Sequence, residues 1–563
     1  MTFQDNLQAI ILIAVLILTT PLAGSYMAKV FTGKKHFMVP VLGWLERTAY
    51  KVTGTNPEVE QNWKQYAVSL LFFNVTGIVF LFLMQIFQAC LPLNPRHLPD
   101  VSWPTAVNTA ISFVTNTNWQ AYAGETTLSY FVQMTGLTVQ NFVSAATGIA
   151  VLLALTRGIA RRSIAGIGNF GVDITRAVIY VLLPLSVLFA IVLTGQGVIQ
   201  NFGDYETVET LQGAQQVIPM GPVASQVAIK QLGSNGGGFF NANSSHPFEN
   251  PTPLTNFLEM LAILVIPAAL TYTYGKMAGS LKHGWTIFIA MMLLLTAGLG
   301  ISLLSEYSSN PVVGHLPLME GKETRIGVSG SVIWSAITSA AGNGSVNAMH
   351  DSLTPVAGLV AMINIMLGEI IFGAAGSGLY GMVIFIILTV FIAGLMVGRT
   401  PEYLGKKIES FEIRMAVLAV LIPNLAILLL SALAVICPKG LSGPGNPGPH
   451  GLSEILYAYS SATGNNGSAF AGLNAGDIFY NLTLGFAMLA GRFGIIIPVL
   501  AIAGNMTGKK ITPASSGTFR TDTLLFICLL MAVILIIGGL TYFPALSLGP
   551  VIEHFLLSRG ITF

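Results

Sequence analysis

The feature that most constrains this chain is a series of long apolar stretches that carry no charge. Two further apolar stretches carry one ionisable residue each: 254–275 contains Glu259, and 479–503 contains Arg492. A helix of about 20 apolar residues crosses a hydrocarbon core of about 30 Å. We therefore predict ten membrane-spanning helices, which are these two and the eight charge-free stretches 7–28, 66–91, 127–156, 177–199, 284–305, 379–398, 415–437 and 524–548.

The overall composition supports the same class of protein. Hydrophobic residues make up 53% of the 563 residues and charged residues only 9%, whereas soluble domains carry about 25% charged residues. This composition indicates the lipid bilayer as a partner. The net charge is only +2, so we expect no nucleic acid as a partner. The three cysteines lie far apart and indicate neither a disulfide framework nor a metal cluster.

The segment 356–398 is too long for one crossing. It contains Glu369 and a Gly-Ala-Ala-Gly-Ser-Gly run at 373–378. Broken helices occur in membranes only where protein or a wet cavity covers the freed backbone groups. We therefore predict one interrupted element, with a short first half and a long second half.

The distribution of Lys and Arg predicts the orientation. The loops between alternate spans hold 19 of the 26 basic residues, and these loops are 29–65, 157–176, 276–283, 399–414 and 505–522. Basic loops stay on the cytoplasmic side. We therefore expect both termini on the outer side, as an even number of spans requires.

Four short apolar segments lie in the predicted outer loops, at 103–114, 221–232, 330–341 and 452–463. Each is too short to cross, and each is followed by a polar tetrad and then by a full span. The tetrads start 119, 108 and 122 residues apart (234 − 115, 342 − 234, 464 − 342). They are Thr115-Asn116-Thr117-Asn118, Ser234-Asn235-Gly236-Gly237, Gly342-Asn343-Gly344-Ser345 and Gly464-Asn465-Asn466-Gly467, with Asn second in each.

This period predicts an all-α membrane protein of four membrane–pore-loop–membrane repeats around a pseudo-fourfold pore, with one extra helix at each end. Four half-crossing helices followed by extended polar strands can present rings of backbone carbonyls to a dehydrated cation. No carboxylate recurs in the tetrads, which disfavours a divalent ion. Neutral oxygens favour potassium, although sodium stays possible. The expected divisions are 1–65, repeats at 66–160, 161–280, 281–400 and 401–510, and 511–563.

Several longer strings resemble one known family. They are Thr-Asn-Thr-Asn-Trp-Gln at 115–120, Gly-Gly-Gly-Phe-Phe-Asn-Ala-Asn at 236–243, His-Pro-Phe-Glu-Asn-Pro at 246–251, Val-Asn-Ala-Met-His-Asp at 346–351 and Gly-Asn-Asn-Gly-Ser-Ala-Phe-Ala-Gly at 464–472. Over essentially the whole chain the sequence resembles the potassium-binding subunits of Kdp-type potassium-transporting ATPases, within the superfamily of potassium transporters.

The resemblance implies a division of labour in a bacterial inner-membrane complex. This subunit would select potassium from the outer side and pass it sideways, through an intramembrane tunnel, to a P-type ATPase subunit that hydrolyses ATP. Two smaller membrane subunits would complete the complex. The residues agree on one point, because the chain contains neither a Walker-type loop nor an Asp-Lys-Thr-Gly motif. We therefore expect no catalytic activity from this chain alone.

The candidate site consists of potassium ligands and a few supporting residues. Gln120 supports the filter geometry or is a plain loop amide. The resemblance implies that Glu369 lines a vestibule or tunnel mouth; the alternative is that it caps freed backbone N–H groups. The resemblance also implies that Arg399 couples this subunit to the ATPase subunit; the alternative is a positive-inside anchor. Arg492 either blocks straight passage below the filter, forms a structural salt bridge or snorkels toward the interface. The predicted potassium ligands are Thr115, Asn116, Thr117, Asn118, Ser234, Asn235, Gly236, Gly237, Gly342, Asn343, Gly344, Gly464, Asn465, Asn466 and Gly467.

Two other functions remain open from the residues alone. A secondary transporter or channel could use the same pore without ATP. A membrane scaffold without transport would leave the four polar tetrads unexplained. For Glu249, His350 and Asp351, beyond the filter strands, the alternatives are to concentrate cations at the mouth or to cap helix ends, and capping is favoured.

Overall fold

The computed structural model describes residues 3–562 except 163–165, 397, 399 and 513–518, and for 3–6 it describes the backbone alone. Within the described residues ten helical segments are long and apolar enough to cross a membrane. Each coincides with one of the ten predicted spans, which confirms the predicted count. The only sheets in this part of the chain are two short hairpins.

The chain begins with one spanning helix, a short second helix and then the first repeat. The second helix of repeat 1 is preceded by a π-helical segment, Val132–Thr138. The side chains of Asn62 and Gln65 form a capping box at the start of the repeat, which satisfies two N-terminal backbone donors. The helices are α1 (Phe3–Phe31), α2 (Val39–Thr53), α3 (Trp63–Ile86), α4 (Trp103–Val114), α5 (Gly124–Thr127) and α6 (Val139–Ala160).

The second repeat has the same order of elements with an added β-hairpin. Its first span joins two helices through a π-helical segment, Ala177–Leu182. Strands β1 (Glu206–Glu209) and β2 (Gln215–Ile218) pair antiparallel, with Glu206 opposite Ile218. The helices are α7 (Phe170–Arg176), α8 (Leu183–Gly195), α9 (Val223–Leu232) and α10 (Pro253–Met277).

The third repeat contains the interrupted element. Helix α13 ends at Met366 and α14 begins at Ser377, so the break covers 367–376 and starts earlier than the predicted 373–378. Gly368, Glu369 and Phe372 have positive φ, which stops the helix before the glycine run is reached. The helices are α11 (Leu281–Tyr307), α12 (Gly327–Ala340), α13 (Pro355–Met366) and α14 (Ser377–Met396).

A small hairpin, β3 (Glu402–Tyr403) and β4 (Lys406–Lys407), leads into the fourth repeat. The chain then ends with the second extra spanning segment, in which a π-helical stretch, Ser547–Val551, joins two helices. The remaining helices are α15 (Ser410–Ile436), α16 (Pro438–Leu441), α17 (Gly448–Gly464), α18 (Ile478–Thr507), α19 (Leu524–Leu546) and α20 (Ile552–Leu557).

The extra helices lie against the repeats. On α1, a Cβ built at Gly24 would be 2.6 Å from the carbonyl oxygen of Ala269 on α10, so the two backbones are in direct contact. On α19, a Cβ at Gly538 would be 2.4 Å from Leu367 in the break. The middle of α6 is buried without interruption from Ser144 to Thr156, so this helix lies in the interior of the bundle.

Candidate potassium site

The four polar tetrads, here called the pore turns, follow the C-terminal ends of the short helices α4, α9, α12 and α17. Each pore turn begins with the same backbone hydrogen bond. The N–H groups of Thr117, Asn235, Asn343 and Asn466 donate to the carbonyl five residues earlier, at 2.9, 2.9, 3.2 and 2.9 Å. These four residues are therefore structurally equivalent.

The dihedral angles give the same alignment. Positive φ occurs on both sides of the equivalent residue in every turn, at Asn116 and Asn118, Ser234 and Gly236, Gly342 and Gly344, and Asn465 and Gly467. An alignment of the tetrads on their second residue, which is Asn in each, is therefore displaced by one residue in repeats 1 and 4. Asn116 is equivalent to Ser234 and Gly342, and Asn465 belongs to the same set. Asn and Gly both tolerate the left-handed region. An alignment of the four tetrads by residue type alone therefore pairs residues that are not structurally equivalent.

The pore turns contact one another in a closed cycle. A Cβ built at Gly236 would be 1.8 Å from the Asn343 carbonyl oxygen, and one at Gly344 would be 1.9 Å from that of Asn466. The remaining two contacts complete the ring. A Cβ at Gly467 would be 1.9 Å from the Thr117 carbonyl oxygen, and the Asn118 Nδ2 group donates to the Gly236 carbonyl at 3.2 Å.

The asparagine side chains bind neighbouring repeats. Asn343 Nδ2 donates to the Lys230 carbonyl of repeat 2 at 3.0 Å, and Asn466 Nδ2 donates to the Thr338 carbonyl of repeat 3 at 2.9 Å. Asn235 Nδ2 donates to Asn116 Oδ1 of repeat 1 at 2.5 Å. The amides therefore hold the ring together from its outside.

Several main-chain oxygens of the ring are left without a donor. Within the described residues, no backbone or side-chain group donates a hydrogen bond to the carbonyl oxygens of Thr117, Asn343 or Asn466. These residues are buried. Buried carbonyls normally have a partner, so free oxygens at this position are available to a cation.

The second helices of repeats 1, 2 and 4 pass beside the ring. On α6, Asn141 Oδ1 accepts a hydrogen bond from Asn118 at 2.6 Å. On α10, the Ile263 carbonyl accepts one from the Ser234 hydroxyl at 2.9 Å, and on α18 the Met488 carbonyl accepts one from Asn465 at 3.0 Å. The helices α6, α10 and α18 therefore surround the ring.

Gln120 links two repeats next to the ring. Its Oε1 accepts a hydrogen bond from the backbone N–H of Gly238 at 2.7 Å, and its Nε2 lies 3.4 Å from the Tyr122 hydroxyl. The side chain of repeat 1 thus holds the strand that leaves the pore turn of repeat 2.

The sequence analysis missed a buried ion pair behind this strand. Lys230, in the last turn of α9, pairs with Glu249, and both side chains are 0% exposed. Lys230 Nζ also donates to Asn243 Oδ1 at 3.0 Å, and Glu249 Oε1 accepts from the Phe240 N–H at 3.0 Å. A lysine in the apolar segment 221–232 was the available signal, because such a charge requires a buried partner.

Glu369 lies beneath the pore turns of repeats 3 and 4. Its Oε2 would be 2.2 Å from a Cβ at Gly342, and its Oε1 would be 3.5 Å from a Cβ at Gly464. The side chain is buried. The structure thus brings Glu369 to the ring.

Arg492 lies on α18, one turn beyond Met488. It is 3% exposed, and its Nη2 donates to the Ser144 carbonyl on α6 at 2.9 Å. In the described part of the chain no carboxylate lies within ion-pair distance of this guanidinium, so the salt-bridge alternative is not supported. Arg399 lies outside the described residues.

A cavity of about 810 Å³ opens on the other side of the ring. It is lined by residues from all four repeats, including Asn118, Gly237, Gly344, Gly467 and the loop residue Glu323. Its lining mixes polar and apolar residues, and its charged members are Lys322 and Glu323.

The three candidate mouth residues do not line this cavity. Glu249 is the partner of Lys230, and His350 Nδ1 lies 3.0 Å from the Tyr457 hydroxyl. Burial, with the nearby charge of Lys322, lowers the pKa of His350 to about 4, so this side chain is neutral at pH 7. Asp351 pairs with His450 at 3.0 Å. These contacts favour structural roles.

The chain matches the family described as KdpA, potassium-transporting ATPase A subunit, over residues 10–555. The potassium-transporting ATPase potassium-binding subunit of Rhodospirillum centenum is 56% identical, over 100% of this chain and 99% of that relative. The subunit of the same name from Pseudomonas aeruginosa is 52% identical, over 99% of this chain and 100% of that relative.

Among solved structures, the potassium transporter TrkH from Vibrio parahaemolyticus superposes with a TM-score of 0.53 at 14% identity. The match covers 88% of this chain and 98% of TrkH. This likeness concerns the fold, and it agrees with the four-repeat architecture.

Proposed function

Because the chain belongs to the family of potassium-transporting ATPase A subunits, we propose that its pore turns bind K⁺ from the outer side for uptake by an ATP-driven complex. The observation that carries the proposal is the closed ring of pore turns with free carbonyl oxygens. Rings of carbonyls can replace the hydration shell of a dehydrated cation. The alternating sign of φ supports this role, because it lets successive carbonyls face one side of the strand.

The ligands in this proposal are main-chain oxygens of the tetrads, and the asparagine amides have a supporting role. The amides of Asn343 and Asn466 already donate to carbonyls of neighbouring repeats. Gln120 keeps the second strand in place through Gly238. A neutral ring of this kind suits a weakly hydrated monovalent ion rather than Mg²⁺ or Ca²⁺, which take carboxylate ligands.

The exit route in the proposal is sideways. Arg492 provides a positive charge one helical turn below the ring, which opposes straight passage of K⁺. Glu369 provides a carboxyl group on the side of repeats 3 and 4. A cavity of about 60 Å³ lies there and is lined in part by Gly464, Gly368 and Asn424. K⁺ would leave by this side, in a tunnel toward a P-type ATPase subunit that hydrolyses ATP.

The chain itself is proposed to be non-catalytic. Two smaller membrane subunits would complete the complex in a bacterial inner membrane, with both termini of this chain on the outer side. Arg399, which follows α14 in the sequence, is proposed to couple this subunit to the ATPase subunit.

The first experiment tests the ring. Gly236→Asp places a carboxylate where a Cβ would already be 1.8 Å from the Asn343 carbonyl oxygen. We expect weaker K⁺ binding and poorer discrimination against Na⁺, measured as ion-stimulated ATPase activity of the assembled complex. Gly213→Asp is the matched control, because Gly213 lies in the β1–β2 hairpin with φ +79 and has no atom nearer than 3.8 Å. Equal K⁺ affinity in the two variants would rule out a carbonyl site at Gly236.

The second experiment separates the pump subunit from a channel or secondary transporter. The chain alone and the complete complex are reconstituted in liposomes, and ⁸⁶Rb⁺ uptake is followed with and without ATP. The proposal expects uptake only from the complex with ATP. Uptake by the chain alone, driven by the membrane potential, would favour the transporter or channel.

A further inference from the structure

The β3–β4 hairpin contains a lysine whose charge is buried without a carboxylate. The Lys406 side chain is 0% exposed. Its Nζ donates to the carbonyl oxygens of Gly158 at 2.8 Å and Met506 at 2.6 Å, and also to that of Arg161. No acidic side chain of the described residues lies within ion-pair distance of Lys406, so three main-chain oxygens alone bind the ammonium group.

These three oxygens belong to the ends of two helices that surround the ring of pore turns. Gly158 lies in the last turn of α6 and Arg161 is its C-cap, and Met506 lies in the last turn of α18. The last carbonyls of a helix lack intrahelical donors and carry the negative end of the helix dipole. An ammonium with three donors fits this site. Burial and the nearby Lys509 lower the pKa of Lys406 to about 8, so the charged form still predominates at pH 7.

The same hairpin also contacts repeats 2 and 3. The Tyr403 hydroxyl is hydrogen-bonded to Tyr274, in the last turn of α10, and lies 2.8 Å from His283 Nε2, at the start of α11. The Gly405 carbonyl accepts a hydrogen bond from Thr512, beyond α18, at 2.8 Å. Since the hairpin follows α14, it joins the ends of the second helices of all four repeats.

The hairpin lies far from the ring along these helices. Met488 and Met506 are 18 residues apart on α18, or about 27 Å at 1.5 Å per residue, and Arg492 lies between them. The helices α6, α10 and α18 contact the pore turns at one end and the hairpin at the other. The hairpin therefore lies across the end of the central axis that is remote from the pore turns.

We propose that the β3–β4 hairpin is a plug that closes this end of the pore, with the Lys406 ammonium fixed in a three-carbonyl site so that K⁺ cannot pass straight through. The inference rests on the proposed function, because it presumes that K⁺ enters at the pore turns. The plug and Arg492 act as two barriers in series, and together they leave the sideways route as the path for transport.

The test measures passive leak. The complete complex is reconstituted in liposomes without ATP, and ⁸⁶Rb⁺ efflux is measured for Arg492→Ala alone and combined with Lys406→Met. A fixed positive charge in a low-dielectric path raises the activation free energy for passage of K⁺. Removing that charge is expected to increase the rate of passage by about a factor of ten or more. We therefore expect the combined variant to leak at least about tenfold faster than Arg492→Ala alone, with K⁺ still preferred over Na⁺. Lys407→Met, an exposed neighbour in the same strand, is the matched control and should not change the leak.

A second variant covers the case in which Lys406→Met does not assemble. Tyr403→Phe keeps the ammonium but removes the hydroxyl that binds Tyr274 and His283, and a smaller increase in leak is expected. Lys406→Met and Tyr403→Phe are each made in the unsubstituted complex and in the Arg492→Ala complex. If the assembled variants leak no faster than the complex from which they were made, in both cases, the plug proposal is overturned.

The outcomes for the two proposals are distinguishable. If the unsubstituted complex shows no ATP-driven, K⁺-selective uptake, the proposed function fails. If it does, and Lys406→Met and Tyr403→Phe leave the leak unchanged, only the plug fails.

Discussion

Replacing Gly344 by Ala should weaken K⁺ binding through one displaced carbonyl. Gly344 has φ +81, and its Cβ would be 1.9 Å from the Asn466 carbonyl oxygen. Contacts below 3.0 Å essentially do not occur for a real Cβ, so that oxygen or the Gly344 backbone must move by at least 1.1 Å (3.0 − 1.9). The oxygen involved is one of the free carbonyls of the ring.

The magnitude follows from the loss of one oxygen that interacts with a charge. Such an interaction contributes about 1.5–3 kcal/mol. At about 1.4 kcal/mol per factor of ten, we expect the dissociation constant for K⁺ to rise by about 10- to 100-fold. The left-handed backbone adds about 1–2 kcal/mol of strain in the folded protein, and this second effect needs a control.

Gly327→Ala provides that control. Gly327 lies in the same repeat, has φ +74 and has no atom within 4 Å of its Cβ position. It therefore carries the backbone strain without the contact to a carbonyl. K⁺ binding is measured by calorimetry on the assembled complex for both variants. If Gly344→Ala and Gly327→Ala bind K⁺ equally well, the carbonyl argument is refuted.

Two further predictions concern charges around the ring. Lys230→Met leaves the buried carboxylate of Glu249 unpaired and should destabilise the protein by about 3–5 kcal/mol. Adding Glu249→Gln removes the unpaired charge and should restore much of the thermal stability. Equal melting temperatures of the single and double variants would contradict this prediction. Although burial opposes the charged form, hydrogen bonds to Asp351 and Glu553 raise the pKa of His450 to about 10, above its unfolded value of about 6.5. Its stabilising contribution is then complete below about pH 6.5 and is lost as the pH rises toward 10, so His450→Gln should flatten thermal stability over that window, and a variant with the unaltered pH profile would refute the assignment.

The spans could be predicted because hydropathy and length alone define them. Eight of the ten follow from charge-free apolar runs and two from apolar runs with a single ionisable residue, and the interrupted element followed from one run that was too long. The start of its break could not be predicted, because it depends on the positive φ of Glu369 and Phe372. Neither residue type normally favours that conformation.

The alignment of the pore turns could be predicted only to within one residue. Asn465 and Gly342 occupy equivalent positions although Asn465 looks like the partner of Asn343 in the sequence. What fixes the alignment is the hydrogen bond from the following residue to the carbonyl five positions back, which no pattern of residue types records.

Long-range polar contacts were the least predictable part. Lys230 and Glu249 are separated by 19 residues, and Lys406 binds oxygens 245, 248 and 100 residues away. A sequence shows that a charge lies in an apolar region, but the partner depends on how the helices pack.

The ring of pore turns is made by a single polypeptide, and this has a consequence for how its parts can vary. Each quadrant has its own residues, with Thr117 at the position where the others have Asn235, Asn343 and Asn466. The quadrants of repeats 3 and 4 share a backbone contact at Gly344, and those of repeats 2 and 3 share one at Gly236. Paired substitutions at positions in contact across two quadrants, such as Gly344 and Asn466, are therefore expected to interact. A single substitution in this ring therefore alters one quadrant, whereas a single substitution in a pore built from four identical chains alters all four.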